Sequence, residues 1–266
     1  MFLKNLLKKN VKFNLIRNSL ISKPSAYISP KIKKTSVSDF FFYKVDNDFN
    51  SKIMLFNLSS HVLPEIKQTE NVKLFFFNQN GILIHESQIT LNYQETKEII
   101  ISDMIKNSFG SFFAFHIFNN FGDLLEKNSF ITERGYAAYK SKRSIWSYMH
   151  GNHNAAYLDN KFKIHSIMGS SIKDKNPYLP QVSFLDQDEF EVILNNPTKK
   201  LNIVRIILRD DQDNIIEKEI IEIKPYGTNI YKCKKKINTL ELNSKNIFNR
   251  PIIIKHYRDN FDIFHG

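Results

Sequence analysis

The residues best suited to chemistry are His150-Gly151-Asn152-His153, with His165 twelve positions further on. Neutral imidazoles are the commonest metal ligands, and three of them plus a water would form an open catalytic zinc site. The spacing argues against the metalloprotease arrangement, in which two histidines four apart on a helix flank a glutamate. Here His150 and His153 are three apart, no carboxylate adjoins them, and the segment reads as a strand end running into a loop. The framework reading is therefore preferred: Gly151 frees the backbone φ and His150 bonds neighbouring carbonyls. A metal set of His150, His153 and His165 stands as the alternative, and no cofactor is expected.

A second group combines cations with aromatic faces. Arg134, Lys140, Arg143 and Trp146, with Tyr136, Tyr139 and Tyr148 nearby, would suit stacking on sugar rings or holding an anion. The competing account makes Trp146 a core residue of an alternating strand. Asp210-Asp211-Gln212-Asp213-Asn214 invites calcium, but it lacks the glycine and the distal glutamate of a calcium loop, so a solvated turn is expected. The chain carries no Gly-rich phosphate loop and no Gly-x-Ser-x-Gly elbow. Its one cysteine, Cys233, sits in a basic run and excludes an intrachain disulfide framework.

The His-Gly pair belongs to a pattern that recurs. Lys140, Arg143, Trp146, His150 and Gly151 match Lys255, Arg258, Phe261, His265 and Gly266 at an offset of 115. Ile89, Leu91 and Thr96 match Ile221, Ile223 and Thr228 at 132. Such recurrence marks an internal duplication. The drop between the offsets places 17 extra residues between Thr96 and Lys140, assigned to an aromatic hairpin at 111–130. A rival offset of 140 aligns His116, Asn120 and Phe121 with His256, Asn260 and Phe261, using fewer positions. On the offset of 115 Trp146 and Phe261 are read as equivalent core residues.

These residues must be carried by strands. From Asp39 onward short apolar runs rich in aromatic and β-branched types alternate with turn residues. Asn80-Gly81, between Val72–Phe77 and Ile82–Ile84, is the strongest hairpin signal. No long stretch has a helical period. The expected fold is all-β: two tandem related β-sandwich domains of immunoglobulin or fibronectin type behind a basic N-terminal arm. The boundaries are 1–37 for the arm, 38–151 for domain 1 with its extra hairpin, 152–182 for a linker, and 183–266 for domain 2.

Of 38 Lys and Arg residues, nine fall in residues 1–37, which contain no acid. The remainder, 29 basic and 27 acidic, is nearly neutral, so nucleic acid is not an expected partner. In the arm Leu3, Leu7, Val11 and Leu15 recur every four residues beside Lys4, Lys8 and Lys12. Three readings compete for it: a disordered tail, a helix on an anionic membrane surface through residues 1–34, and an import presequence. The compartment expected is the cytoplasm, with membrane-peripheral attachment or organellar import as alternatives. The expected function is non-enzymatic binding or scaffolding, with a protein or glycan ligand on domain 1. The alternatives are the histidine metalloenzyme and a membrane-peripheral assembly factor.

Overall fold

A computed structural model describes residues 36–62, 64–65, 67–117, 135–154, 156–159, 161–166, 177–245 and 250–265. Within them the protein is nearly all β. A five-stranded sheet has the order β4 (Leu83–Leu91), β3 (Glu70–Asn78), β6 (Ser108–Ile117), β1 (Ser36–Val45), β9 (Asn152–Asn154). A four-stranded sheet faces it, ordered β5 (Thr96–Ile100), β2 (Phe49–Phe56), β7 (Gly135–Ser141), β8 (Ser147–His150). In the second half a three-stranded sheet runs β14 (Ile215–Ile223), β13 (Asn202–Arg209), β16 (Thr239–Ser244). Opposite lies a second four-stranded sheet: β15 (Thr228–Cys233), β12 (Glu189–Asn195), β17 (Ile252–His256), β18 (Phe261–His265). All pairings are antiparallel, none of these sheets closes into a barrel, and α1 (Leu58–Val62) is the one α-helix among the described residues.

Alternation decides which residues enter the cores. Leu74, Phe76, Phe112 and Ala114 from the five-stranded sheet meet Ile53, Leu55, Ala137 and Tyr139 from the sheet facing it. In the second half Val192, Leu194 and Ile253 meet Val204, Ile206, Leu208 and Leu242. The other face of that four-stranded sheet is also covered: Ile193, Ile252, Ile254, Phe261 and Ile263 belong to the first core. Burial on both faces explains the unbroken runs Val192-Ile193-Leu194 and Ile252-Ile253-Ile254. The junction is tied further where the Thr228 N–H donates to Gln79 O and the Tyr226 ring stacks on Phe77 at 4.9 Å.

The stretch expected as a linker is partly structured. After β9, strands β10 (Ala156–Leu158) and β11 (Ile164–Ser166) form a ribbon. Ala156 and Leu158 pack with Phe40, Phe75, Phe113 and Phe115 on the outer face of the five-stranded sheet, and Lys73 Nζ lies 3.4 Å from the Phe162 ring centroid. With Phe77, five phenylalanines stand on the outward face of this sheet and need such a cover, which sequence alternation alone did not reveal.

The order of connection is the same in both halves, and local detail follows it. Asn57 Nδ2 donates to the carbonyls of Gln68, Leu91 and Asn92, and Asn196 Nδ2 to those of Lys200, Ile223 and Lys224. Positive φ occurs at Gly81 (75°) and Asp213 (65°), and at Gln94 (56°) and Tyr226 (59°). Register shifts fall between Phe76 and Phe77 and between Leu208 and Arg209. Asn57 and Asn196 are 139 positions apart, but their carbonyl partners, the positive-φ residues and the register shifts lie 132 apart, the spacing also of Thr96 and Thr228 at the starts of β5 and β15.

The 115 spacing needs correction at its first position. Lys140 pairs with Asn50 and is exposed, whereas Lys255 pairs with Phe190 and is buried on the face of Ile253. The two lysines point to opposite sides of their sheets. Cross-strand pairing instead matches Lys140 with His256, because the β17–β18 turn is one residue shorter than the β7–β8 turn. Trp146 with Phe261, and His150 with His265, keep their correspondence. The surplus in the first half is also distributed: residues 118–134 lie outside the described residues, while Ser111–Ile117 is the body of β6 and no hairpin.

Candidate functional site

The outer face of the first four-stranded sheet carries the chemistry. Ile100, Lys52, Ala138 and Tyr148 stand in one cross-strand row, and Glu98, Met54, Tyr136 and His150 in the next. Lys52 is only 4% exposed although it points away from the core. Burying an ammonium is costly without compensation. Glu98 lies 2.7 Å away, and the rings of Trp146 and Tyr148 have their centroids 4.5 and 5.2 Å from Nζ. Burial alone would lower the Lys52 pKa. The bonds to Glu98 and Tyr148 outweigh it, and the ammonium is held above the ordinary lysine value. Trp146 is therefore a half-buried surface residue, whereas Phe261 at the matching place is 4% exposed and packs on Phe49 at 5.2 Å. The expectation of two equivalent core residues fails because the two sheets have different neighbours on this face.

One end of the face is walled by α1. The first half has seven more residues than the second between Asn57 and Gln68, compared with Asn196 to Lys200. They build α1 and the turn to Pro64. Glu70 accepts bonds at 2.7 Å from the Ser59 N–H and hydroxyl, and the Ser60 N–H bonds Asn57 Oδ1, which holds the helix start. A shallow cleft opens between helix and sheet, lined by Phe56, His61, Pro64, Gln94, Glu95 and Thr96. The His61 ring sits edge-on to Phe56 at 6.0 Å. Phe56 is four residues from Lys52 along β2, roughly 13 Å. The cleft and the aromatic-cation row thus lie along the same face of β2. Sequence reading missed Phe56, His61 and Gln94, whose only signal was the unequal spacing around the two asparagines.

The structure scatters most of the residues expected at the site. Lys140 and Arg143 are exposed at the β7–β8 end, and Arg134 lies outside the described residues. His150 Nδ1 donates to Gly151 O at 3.1 Å and its ring lies 4.6 Å from that of His265, a framework role. His153 is placed by its backbone in β9, opposite Asp39. His165 Nε2 lies 2.9 Å from Asp159 Oδ2 in the ribbon, and that hydrogen bond leads the causes that lower the Asp159 pKa to about 2. Among the described residues no three His, Cys, Asp or Glu side chains converge to hold a metal ion. Asp210 Oδ1 accepts the N–H groups of Gln212 and Asn214, as expected of a solvated turn.

One buried constellation superficially resembles a hydrolytic triad. The Ser59 hydroxyl donates to Glu70 Oε2, and His116 Nδ1 lies 2.5 Å from Glu70 Oε1. The order is wrong for a nucleophile, since the carboxylate and not the imidazole contacts the serine. Glu70 and His116 are fully buried, and Asn202 and Ser244 form a hydrogen bond at the corresponding place in the second half. This is core architecture.

No family model matches the chain, and no curated protein matches it. Among solved structures it is similar to the crystal structure of Beta-D-Mannosidase from Dictyoglomus thermophilum at 12% identity and a TM-score of 0.18. That match covers 94% of this chain and 32% of the other, so the chain spans about a third of that protein's length. A likeness this loose carries no argument about fold family or activity. Among the described residues no helix is long and apolar enough to cross a membrane.

Proposed function

We propose that this is a non-enzymatic glycan-binding protein made of two immunoglobulin-like β-sandwich domains descended from a duplication. The ligand site is the outer face of the first four-stranded sheet with the α1 cleft. One observation carries the reading: the same sheet face is treated oppositely in the two halves. Glu191, Ile193, Ile252 and Ile263 are covered by the neighbouring half, while at the matching ladder positions Lys52 lies buried beneath Trp146 and Tyr148, Met54 and Tyr136 are half-buried and Tyr148 is exposed. Duplicated units diverge where one acquires a task, and the open face is the one furnished with Trp146, Tyr148, Glu98 and the α1 wall. Aromatic faces stack on sugar rings, while Gln94, Glu95 and Glu98 supply partners for hydroxyls.

The test is an oligosaccharide array probed with the full chain, alongside a Trp146→Ala/Tyr148→Ala variant and His61→Ala. Binding lost in the variants, with circular dichroism unchanged, supports the reading. A glycan held equally by the wild type and the Trp146→Ala/Tyr148→Ala variant removes it. A protein ligand on the same face is the second reading, favoured by Ile145, which is 85% exposed beside Trp146.

A further inference from the structure

From the edge of the three-stranded sheet we infer that two copies of this chain pair through β14, about a two-fold axis at Ile220, to make a continuous six-stranded sheet. Among the described residues β14 is an outermost strand, with β13 on one side only. An unpaired edge is a template for another strand, and soluble proteins usually blunt it. Here the edge carries exposed aliphatic side chains. Ile215, Ile216 and Ile220 are 53%, 38% and 61% exposed, and Ile203 on the adjacent strand is 52% exposed.

The charges select one register. In an antiparallel pair of identical strands the paired residues share a face, so the axis must pass through a residue. An axis at Lys218 sets that lysine against its twin, and one at Glu219 sets two glutamates together. Like charges directly opposite are destabilising. An axis at Ile220 places Ile220 against Ile220 of the second copy and Lys218 against Glu222, twice by symmetry. These three residues lie on the outer face, where Lys218, Ile220 and Glu222 pair with Ile207, Arg205 and Ile203 of β13. The Ile220 contact is then flanked by two ion pairs. On the inner side Glu217 is already held by the Tyr231 hydroxyl and by Lys235.

The matching edge of the first half lacks this pattern. β4 has Glu86, Gln88 and Thr90 where β14 has Lys218, Ile220 and Glu222, so pairing it about Gln88 yields neither an apolar contact nor an ion pair. The apolar-centred, charge-complementary edge belongs to the second half alone.

Sedimentation equilibrium of the full chain tests this. The wild type is expected to show a concentration-dependent monomer–dimer equilibrium. Ile220→Lys, at an exposed position where folding is spared, sets two lysines together at the axis and weakens dimerisation by roughly tenfold or more. Glu222→Lys weakens it similarly, and Lys218→Glu/Glu222→Lys restores it by exchanging the partners. A wild type that stays monomeric at every reachable concentration overturns the inference. So does an Ile220→Lys protein, folded by circular dichroism, that dimerises like the wild type.

Discussion

His265 Nε2 lies 2.6 Å from the main-chain oxygen of His150, so the repeated histidines of the two halves meet at one junction. A carbonyl oxygen only accepts, and Nε2 must therefore carry the proton. This bond joins the outer strands β18 and β8 of the two four-stranded sheets, which share no ladder of their own. His265→Ala is expected to cost about 1 kcal/mol for the lost hydrogen bond, read from urea midpoints, while ligand binding by the Trp146 face stays intact. A variant as stable as the wild type would show that the junction relies on its apolar contacts alone.

Asn57 and Asn196 each satisfy three carbonyls at the end of a strand, a task that needs an amide donor. Asn57→Asp and Asn196→Asp keep the shape but place an acceptor against three acceptors. Each is expected to destabilise by about 2–3 kcal/mol or more, with Asn→Ala costing somewhat less. Thermal unfolding of the four variants checks this. Equal stability of the Asp and Asn forms would contradict the hydrogen-bond account.

The buried Glu70–His116 pair offers an exchange between the halves. His116→Ser alone removes one partner of a buried carboxyl that Ser59 still bonds, at a cost of about 3–5 kcal/mol. Glu70→Asn/His116→Ser copies the Asn202–Ser244 pair, whose hydroxyl donates to the amide oxygen at 2.8 Å. The double variant is expected to be more stable than His116→Ser, although it gives up the bonds from Ser59. Additive losses in urea denaturation would reject the equivalence.

Glu191 is placed to set acid stability where the two halves meet. It is 2% exposed, 2.7 Å from Lys232 and 4.0 Å from Lys44 of the first half, with His256 at 3.7 Å, beyond hydrogen-bond range. Burial works to raise its pKa, but these neighbours outweigh burial and hold it at about 2. A carboxyl whose folded pKa lies below its unfolded value of about 4.3 stabilises the fold above that value. The contribution is lost as pH falls from about 4.3 towards 2. Stability from urea denaturation should fall for the wild type by about 2 kcal/mol between about pH 6 and pH 3 from this group. Glu191→Gln should start lower and fall less. Parallel pH profiles for the two proteins would assign the acid sensitivity elsewhere.

Much of the architecture was legible in the chain. Strand character is local, since alternation and β-branched residues specify it without long-range information. Asn80-Gly81 marked its turn because Gly81 needs φ of 75°. The spacing of 132 survived because it runs through strands whose register both halves retain. The candidate site was less legible. Trp146 was visible as an aromatic beside cations, but its cation is Lys52, 94 positions away in the chain. Neither Lys140 nor Arg143 joins it. The cleft at α1 gave no motif, only a spacing difference of seven residues.

The amino-acid sequence by itself determined an all-β chain of short strands and turns, because side-chain period and turn chemistry act over a few residues. The tertiary structure alone decided which faces are covered. Lys140 and Lys255 hold the same place in a repeated pattern, yet a turn one residue shorter puts them on opposite sides of their sheets, since a one-residue slip in a strand inverts every side chain. Ile193 is buried and Met54 is not fully so, because Ile193 packs into the core of the first half whereas Met54 faces away from that core. Covering depends on where distant segments meet, and no local pattern encodes that.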